Sequence, residues 1–291
     1  MKFLRFSLTR IILGGIILLV SYVLFSEYLR DYLTNGGLQK PWPLLISTAV
    51  TLVLLPLLYK WFFGGVEGRR VGEISLQRFF PNMVWGVLLG VVLQSFVIMV
   101  IYAMGGYTVV SVNSPSVMLL PLCGALMTGV FEELVFRGVV FRIVEERLGS
   151  WVALLLSALI FGLLHAFNDN ATLIDGVAVS IEAGLLLAVC YMLTRNLWMP
   201  IMFHAAWNFT QGTVYGAAVS GGAAGESLIS AQIDGAKWFT GGGFGPEGSV
   251  QAVVLCTLAT VVMLVVCLRK GRVVKGALWL KKEERHAADA K

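Results

Sequence analysis

The most constraining feature of this chain is a series of long apolar stretches that contain few charged residues. A helix needs about 20 apolar residues to cross the hydrocarbon core of a bilayer, and eight stretches of roughly that size follow one another. They lie at about 6–27, 42–64, 82–104, 117–141, 150–168, 171–194, 198–218 and 249–269. A transmembrane β-barrel would show shorter segments of alternating hydrophobicity. The sequence therefore predicts an all-α fold, a polytopic membrane helical bundle of about eight transmembrane helices.

Composition places the whole chain in the membrane. Of the 291 residues, 57% are hydrophobic and only 13% are charged, whereas a soluble domain carries about 25% charged residues. So few charges cannot cover a water-soluble globule, and membrane lipid must surround much of the protein. We expect a single integral membrane domain over residues 1–291.

The N-terminal segment resembles a signal peptide but is better interpreted as a first span. Lys2, Arg5 and Arg10 precede an apolar run from Ile11 to Phe25. The apolar region of a signal peptide has about 7–15 residues and is followed by a small-residue cleavage site, which is missing here. We therefore predict an uncleaved span, with a cleaved signal peptide as the alternative.

The distribution of basic residues predicts the orientation. If the N-terminus is cytoplasmic, 19 of the 22 Lys and Arg residues lie inside, and only Arg30, Lys40 and Lys237 lie outside. This asymmetry is typical of membrane proteins and favours an even number of spans with N- and C-termini cytoplasmic. Residues 270–291 form a basic cytoplasmic tail. The net charge of +5 therefore indicates contact with anionic lipid rather than nucleic acid.

The four cysteines lie in apolar stretches and form no C-x-x-C pair. Such residues behave as small hydrophobic side chains. We predict neither a disulfide nor a cysteine metal site at Cys123, Cys190, Cys256 and Cys267.

Ionisable residues within the apolar stretches form three short patches: Glu132-Glu133-Leu134-Val135-Phe136-Arg137, Phe161 to His165, and His204 to Asn208. Such residues are costly in a membrane and mark candidate functional sites. Three polar patches on different spans, in a chain this poor in polar residues, favour one common site.

Helical spacing distinguishes the two glutamates of the first patch. Glu133 and Arg137 are four residues apart, so they lie on one helix face and can pair. Glu132 is rotated by about 100° and cannot share that partner as easily. An unpaired buried carboxylate can act as a general base. His204 and Asn208, also four apart, can point together into one cavity as hydrogen-bond donors.

Each patch also has a structural interpretation. The first can be an ion pair between helices, His165 can be a core histidine, and His204 with Asn208 can form a polar clasp between helices. Outside the patches, Glu182 and Asp175 share a helix face and favour helix packing or site lining. We expect packing for Trp207 and solvation for His286.

The three patches together resemble the CPBP family, the CAAX-processing and bacteriocin-processing (Abi-like) intramembrane proteases. The family motifs E-E-x-x-x-R, F-x-x-x-H and H-x-x-x-N match the patches in order and spacing. Two further segments, Leu197 to Ile201 and Gly241 to Gly248, also resemble the sequences of family members. The resemblance places a catalytic core at about 117–210.

This resemblance implies hydrolysis of a peptide bond in a membrane-associated protein or peptide. Glu132 would activate a water molecule that His165 helps to hold, while His204 and Asn208 would stabilise the oxyanion. Glu133 and Arg137 of the first motif would support its helix. Peptide maturation, bacteriocin self-protection and regulated proteolysis in a bacterial cell membrane all remain open, as does the oligomeric state.

The resemblance also raises the question of a metal, because the family has often been called metalloprotease-like. Glu132, His165 and His204 form a ligand set that zinc accepts, but the H-E-x-x-H spacing is absent. We predict a reaction without a cofactor, and zinc is the alternative.

Depth in the membrane poses a problem for straight spans. At 1.5 Å per residue, His204 would lie ~9 Å and His165 ~22 Å from the cytoplasmic end of its span. A turn at Asn196 to Pro200, sunk below the surface and buried in protein, would reconcile them.

Two other functions remain open on the sequence. A transporter of ions or small solutes would need a continuous polar path and would often show an internal repeat, and neither is evident. A non-catalytic scaffold or immunity protein could keep the same fold.

Overall fold

The computed structural model describes residues 6–279 and confirms an all-α membrane bundle. Eight main helices correspond to the eight predicted stretches. They are α1 (Ser7–Asn35), α2 (Trp42–Glu67), α3 (Leu76–Ala103), α4 (Pro115–Leu148), α5 (Ser150–His165), α6 (Leu173–Thr194), α7 (198–214) and α8 (Val250–Arg269). The predicted basic tail lies outside the described residues from position 280 onward.

Six of these helices, within residues 6–279, are long and apolar enough to cross a membrane. The two shorter ones are α5, with 16 residues, and α7, which joins 11 α-helical residues to 6 π-helical ones. Both are shorter than the ~20 residues of a full span. The predicted number of eight therefore holds for the helices, whereas six have the length of complete spans.

Three π-helical stretches lie next to the predicted site residues. Leu134–Phe141 follows the two glutamates in α4, Ser180–Leu185 contains Glu182 in α6, and Phe209–Val214 follows Asn208 in α7. A π-turn widens the helix and often occurs at functional sites. The irregular parts of these helices therefore coincide with the polar patches.

A small sheet joins two distant connections and was not expected from the sequence. Strand β1 (Tyr107–Val112) pairs antiparallel with β2 (Ile229–Ile233), which lies in the glycine-rich connection between α7 and α8. The Tyr107 hydroxyl also donates a hydrogen bond to the Tyr215 carbonyl oxygen at 2.8 Å. These bonds hold that connection over the end of the bundle.

The turn between α6 and α7 is buried, which resolves the problem of depth. Asn196 and Leu197 are 6% and 0% exposed, because the connection 68–75 lies beneath them. The Leu197 amide donates to the Glu73 carbonyl oxygen at 2.7 Å, and the Asn196 side chain donates to the Ser75 carbonyl oxygen at 2.9 Å. Since α7 starts inside the protein, His204 can lie as deep as His165.

A second group of charges, which we name the helix-end cluster, holds the same end of the bundle. It consists of Arg10, Glu67, Arg69, Glu73, Arg142 and Glu146. One Glu67 oxygen accepts hydrogen bonds from Arg10 at 2.6 Å and from Arg142 at 2.8 Å, and the other accepts from Arg69. The Tyr59 hydroxyl donates to Glu73 at 2.7 Å and is also 2.8 Å from the Gly138 carbonyl oxygen. These contacts tie α1, α2 and α4 together.

Candidate functional site

The three polar patches meet in the middle of the bundle. Oε2 of Glu132 lies 3.9 Å from Nε2 of His165 and 3.9 Å from Nε2 of His204. The glutamate comes from α4, and the histidines come from the end of α5 and the middle of α7. Three helices that are separate in sequence thus place one carboxylate between two imidazoles.

Glu133 links the first and third patches. Its Oε1 accepts a hydrogen bond from Arg137 at 2.7 Å and lies 3.0 Å from Nδ1 of His204. Because a carboxylate can only accept, the His204 proton at Nδ1 points to Glu133. The other ring nitrogen then faces Glu132, so Glu133 sets the orientation of the imidazole.

Arg137 is 1% exposed and reaches two other helices. Its NH2 donates to the carbonyl oxygens of Ala183 and Gly184, both at 3.1 Å. Its guanidinium carbon also lies 4.6 Å from the centroid of the Phe161 ring, within the range of a cation–π contact. Arg137 therefore locks α4 against α5 and α6 while it neutralises Glu133.

His165 is oriented by the backbone of its own helix. Its Nδ1 lies 2.8 Å from the Phe161 carbonyl oxygen, which can only accept a hydrogen bond. In a neutral ring the lone pair is therefore at Nε2, on the side of Glu132. Both histidines thus present the same ring nitrogen to that carboxylate.

Glu132 lacks a direct partner at the centre of this arrangement. Its Oε2 is buried and makes no hydrogen bond within the described residues. A separation of 3.9 Å is too long for direct bonds and fits a bridging water. The adjoining cavity, lined by His165, His204 and Asn208, has a volume of about 20 Å³, which is room for about one water molecule.

Asn208 borders this cavity at the end of the α-helical part of α7. Its side-chain amide makes no hydrogen bond to another residue in the range 6–279. An amide that faces a cavity without a partner is available to a ligand. Trp207, predicted to pack, stacks on Phe203 with ring centroids 5.8 Å apart and also borders the cavity.

Two buried carboxyls complete the cavity wall. Glu182, for which the sequence favours helix packing or site lining, borders the cavity, and the Cys256 thiol lies 3.7 Å from its Oε2. Glu247 is not among the predicted site residues, although it lies in the segment Gly241 to Gly248, which resembles the family. Its Oε1 accepts a 2.6 Å hydrogen bond from the Ser220 amide. Burial raises the pKa of the Glu247 carboxyl, against the lowering effect of that hydrogen bond.

Asp175 does not join Glu182 in the cavity. It forms a capping box with Thr172 at the start of α6, and it pairs with Lys237 at 2.8 Å. Regular helical spacing would place Asp175 and Glu182 on one face, but the helix changes from α to π at Ser180, before Glu182 is reached. Asp175 therefore anchors the connection that follows β2.

The histidines and Glu132 are chemically suitable ligands for zinc, but they are spaced too widely. Ligands at about 2.0–2.2 Å from a tetrahedral ion lie roughly 3.3–3.6 Å from each other, whereas both nitrogen–oxygen separations here are 3.9 Å. Within residues 6–279, no group of three or more His, Cys, Asp or Glu side chains is arranged to hold a metal ion. As placed, these residues fit a water molecule better than a zinc ion.

Comparison with known proteins supports the resemblance seen in the motifs. Residues 114–210 match the family model described as Rce1-like, type II CAAX prenyl endopeptidase. A protein of Bacillus subtilis (strain 168), named "Putative membrane peptidase YdiL", is 28% identical over 93 residues. That alignment covers 32% of this chain and only 36% of the relative's length. No solved structure matches.

These similarities confirm the resemblance to the CPBP family over the segment that contains all three motifs. They show that residues 114–210 of this integral membrane protein are similar to a family of membrane-bound peptidases. The mechanism and the substrate lie beyond them.

Proposed function

We propose that this protein is an intramembrane endopeptidase that hydrolyses a peptide bond of a membrane-associated protein or peptide, with Glu132 as the general base. The observation that carries this proposal is the buried, unpartnered Oε2 of Glu132, 3.9 Å from two imidazole nitrogens. A buried polar atom without a partner costs stability, so its retention favours a functional role.

The site geometry suits the activation of one water molecule. Such a water donates one hydrogen to Glu132 and the other to Nε2 of His165, which leaves an oxygen lone pair free to attack. As the oxygen bonds to the carbonyl carbon, its proton passes to Glu132. Glu132 then returns the proton to the amide nitrogen as the carbon–nitrogen bond breaks. One water is thus consumed, and an amine and an acid are formed.

His204 and Asn208 are placed to stabilise the oxyanion of the tetrahedral intermediate. The Glu133 carboxylate, 3.0 Å from Nδ1 of His204, stabilises an imidazolium that can donate from Nε2. The unpartnered amide of Asn208 supplies a second donor on the same cavity wall. Each donor of this type is typically worth about 10²–10³ in rate.

We propose that the reaction proceeds without a metal ion, because the 3.9 Å separations suit bridging hydrogen bonds better than ligation. The alternative makes a different forecast. A zinc enzyme loses activity with a chelator and regains it with added zinc, whereas the proposed enzyme keeps its activity.

The test uses detergent-solubilised protein and a library of lipid-anchored peptides, with cleavage read by mass spectrometry. Glu132→Gln keeps the shape of the side chain but removes the base, so turnover should fall by about 10²–10⁴. The melting temperature should stay unchanged, as should the activity of the exposed control Glu27→Gln. Equal cleavage by the wild-type and Glu132→Gln proteins would disprove the proposed role of Glu132.

The Glu132→Gln protein has a second use, because it can bind a substrate without cleaving it. The trapped substrate can then be identified.

A further inference from the structure

A second cavity adjoins the first one and has no assigned role. It has a volume of about 240 Å³ and lies between α4, the π-helical end of α7 and the connection 217–226. Asn208 borders both cavities. Most of the other residues that line the second cavity are small, and we name this cavity the small-residue groove. They include Gly124, Ala125, Thr128, Gly212, Ala217 and Gly225.

Two glycines of α4 differ in what surrounds them. A Cβ built on Gly129 would lie 2.9 Å from the Ile201 carbonyl oxygen, so α7 requires a glycine there. A Cβ built on Gly124 meets nothing within 4 Å. Glycine within a helix is less stable than alanine. Gly124 is exposed on the wall of the groove, and the absence of a side chain there leaves room for a ligand.

Polar groups without partners face the same groove. Thr213 is only 4% exposed and borders the groove, yet its hydroxyl makes no hydrogen bond to another residue of the described range. The Asn208 amide is likewise without a partner. These two groups are therefore available to a ligand that carries polar atoms along its length.

The groove runs along the same helix face as the proposed general base. Thr128 and Gly124 lie four and eight residues before Glu132, so they share its face of α4. At 1.5 Å per residue, Gly124 is ~12 Å from Glu132 along the helix axis. An extended peptide rises about 3.3 Å per residue, so about three or four residues would cover this distance.

We propose that the small-residue groove binds the substrate as an extended peptide with small side chains, three or four residues to one side of the bond that is cleaved. This inference rests on the proposed peptidase function and adds a substrate class to it. An extended backbone brings N–H and C=O groups that need partners in a membrane, and Thr213 and Asn208 supply them. Because the groove wall carries small residues at Gly124, Ala125, Gly212 and Ala217, we expect the closest backbone approach for a peptide with glycine, alanine or serine at these positions.

Binding can be tested separately from cleavage. The probe is a palmitoylated peptide with a central glycine–alanine stretch and an alkyl diazirine, added to the Glu132→Gln protein and cross-linked by light. We expect cross-links to residues 121–128 and 217–226. Gly124→Leu should lower their yield by about tenfold or more, because a pocket discriminates by about 10–200-fold for one methylene group. A probe with central leucines should cross-link to the Glu132→Gln protein as weakly as the glycine–alanine probe does to the Gly124→Leu variant.

The chain offers a matched control for the added side chain. Gly15 in α1 also has nothing within 4 Å of a built Cβ and lies outside both cavities, so Gly15→Leu should cross-link like its parent. Gly124→Ala should keep or raise the melting temperature while it weakens the cross-link, a combination that a purely structural glycine would not give. Thr213→Val should also weaken it.

Failure of this inference can be told from failure of the proposed function. Equal cross-linking of Gly124→Leu and its parent, or no cross-links to residues 121–128 and 217–226, would overturn the groove assignment, whether or not the wild-type protein cleaves peptides. If the groove cross-links as expected but wild-type and Glu132→Gln proteins show equal cleavage, the groove stands as a peptide site and the glutamate mechanism falls.

Discussion

Two buried groups of charged side chains lie within this bundle, and they are completed to different degrees. In the helix-end cluster, both oxygens of Glu67 and of Glu73 accept hydrogen bonds from arginines. Around the cavity, Glu132 and Glu133 each keep one buried oxygen without a partner among the described residues. The protein can therefore pair its buried carboxylates fully, and it does so only away from the cavity.

The difference separates support from chemistry. Paired charges hold helices in place and leave nothing for a ligand to bind. An unpaired buried acceptor, such as Oε2 of Glu132 between two imidazoles, costs stability but can receive a proton. Glu133 belongs to both types, because one oxygen bonds Arg137 and His204 while the other remains open.

The largest expected effect comes from removing the Glu133 carboxylate, which bonds both Arg137 and His204. Glu133→Ala leaves Arg137 buried without its carboxylate, and breaking a buried pair costs about 3–5 kcal/mol. We therefore expect a clear drop in melting temperature together with a loss of cleavage. The control is Glu146→Ala in the helix-end cluster, whose side chain is 40% exposed and whose loss should cost at most about 1 kcal/mol. A Glu133→Ala protein of normal thermal stability would contradict the structural part of this role.

A smaller effect, confined to chemistry, is expected from Asn208→Ala. Its amide supports no other residue, so folding should be unchanged within about 0.5 kcal/mol. Loss of one oxyanion donor should lower turnover by about 10²–10³. Parallel measurements of melting temperature and peptide cleavage check both parts. If stability falls and turnover per folded molecule stays constant, Asn208 is a clasp between helices.

The smallest effect distinguishes two buried carboxyls outside the spans by the sign of their pH dependence. Burial tends to raise the pKa of Glu73, but the hydrogen bonds and charge of Arg69 lower it below its ordinary value of 4.5. Its contribution to stability is then present above about pH 4.5 and is lost as the pH falls. Burial raises the pKa of Glu247 above the same ordinary value. Its contribution is present below about pH 4.5 and is lost as the pH rises through the folded pKa.

Melting curves between about pH 2 and pH 8 separate the two contributions. Glu73→Gln should flatten the acid side of the stability profile, whereas Glu247→Gln should flatten the opposite side. Glu247→Gln keeps an acceptor for the Ser220 amide, so the change reports the proton rather than a lost hydrogen bond. The exposed variant Asp234→Asn serves as the control. A profile that Glu247→Gln leaves unaltered would show that this carboxyl does not titrate in the folded protein.

The sequence predicts those features that depend on interactions between residues close together in the chain. Hydropathy predicted the eight helices, and the spacing of Glu133 and Arg137 predicted their contact, because both depend on helical periodicity alone. The pairing of β1 with β2 joins residues more than 100 positions apart. The position of Glu247 depends on how a long connection folds back on itself, where the Ser220 amide binds its carboxylate. The buried turn at Asn196 was anticipated only because straight spans could not bring His165 and His204 together. The bonds to residues 73 and 75 that hold it could not be deduced.

The π-helical stretches have a consequence for how this protein can change over generations. A π-turn contains one residue more than an α-turn, so each stretch corresponds to a single-residue insertion in an otherwise regular helix. Deleting one residue from Leu134–Phe141 would restore a regular α-helix and rotate one end of α4 by about 100° relative to the other. The Glu132–Glu133 end would then lose its angular relation to Arg142 and the helix-end cluster. Loops tolerate codon gains and losses, but these three segments should tolerate substitution far better than any change of length.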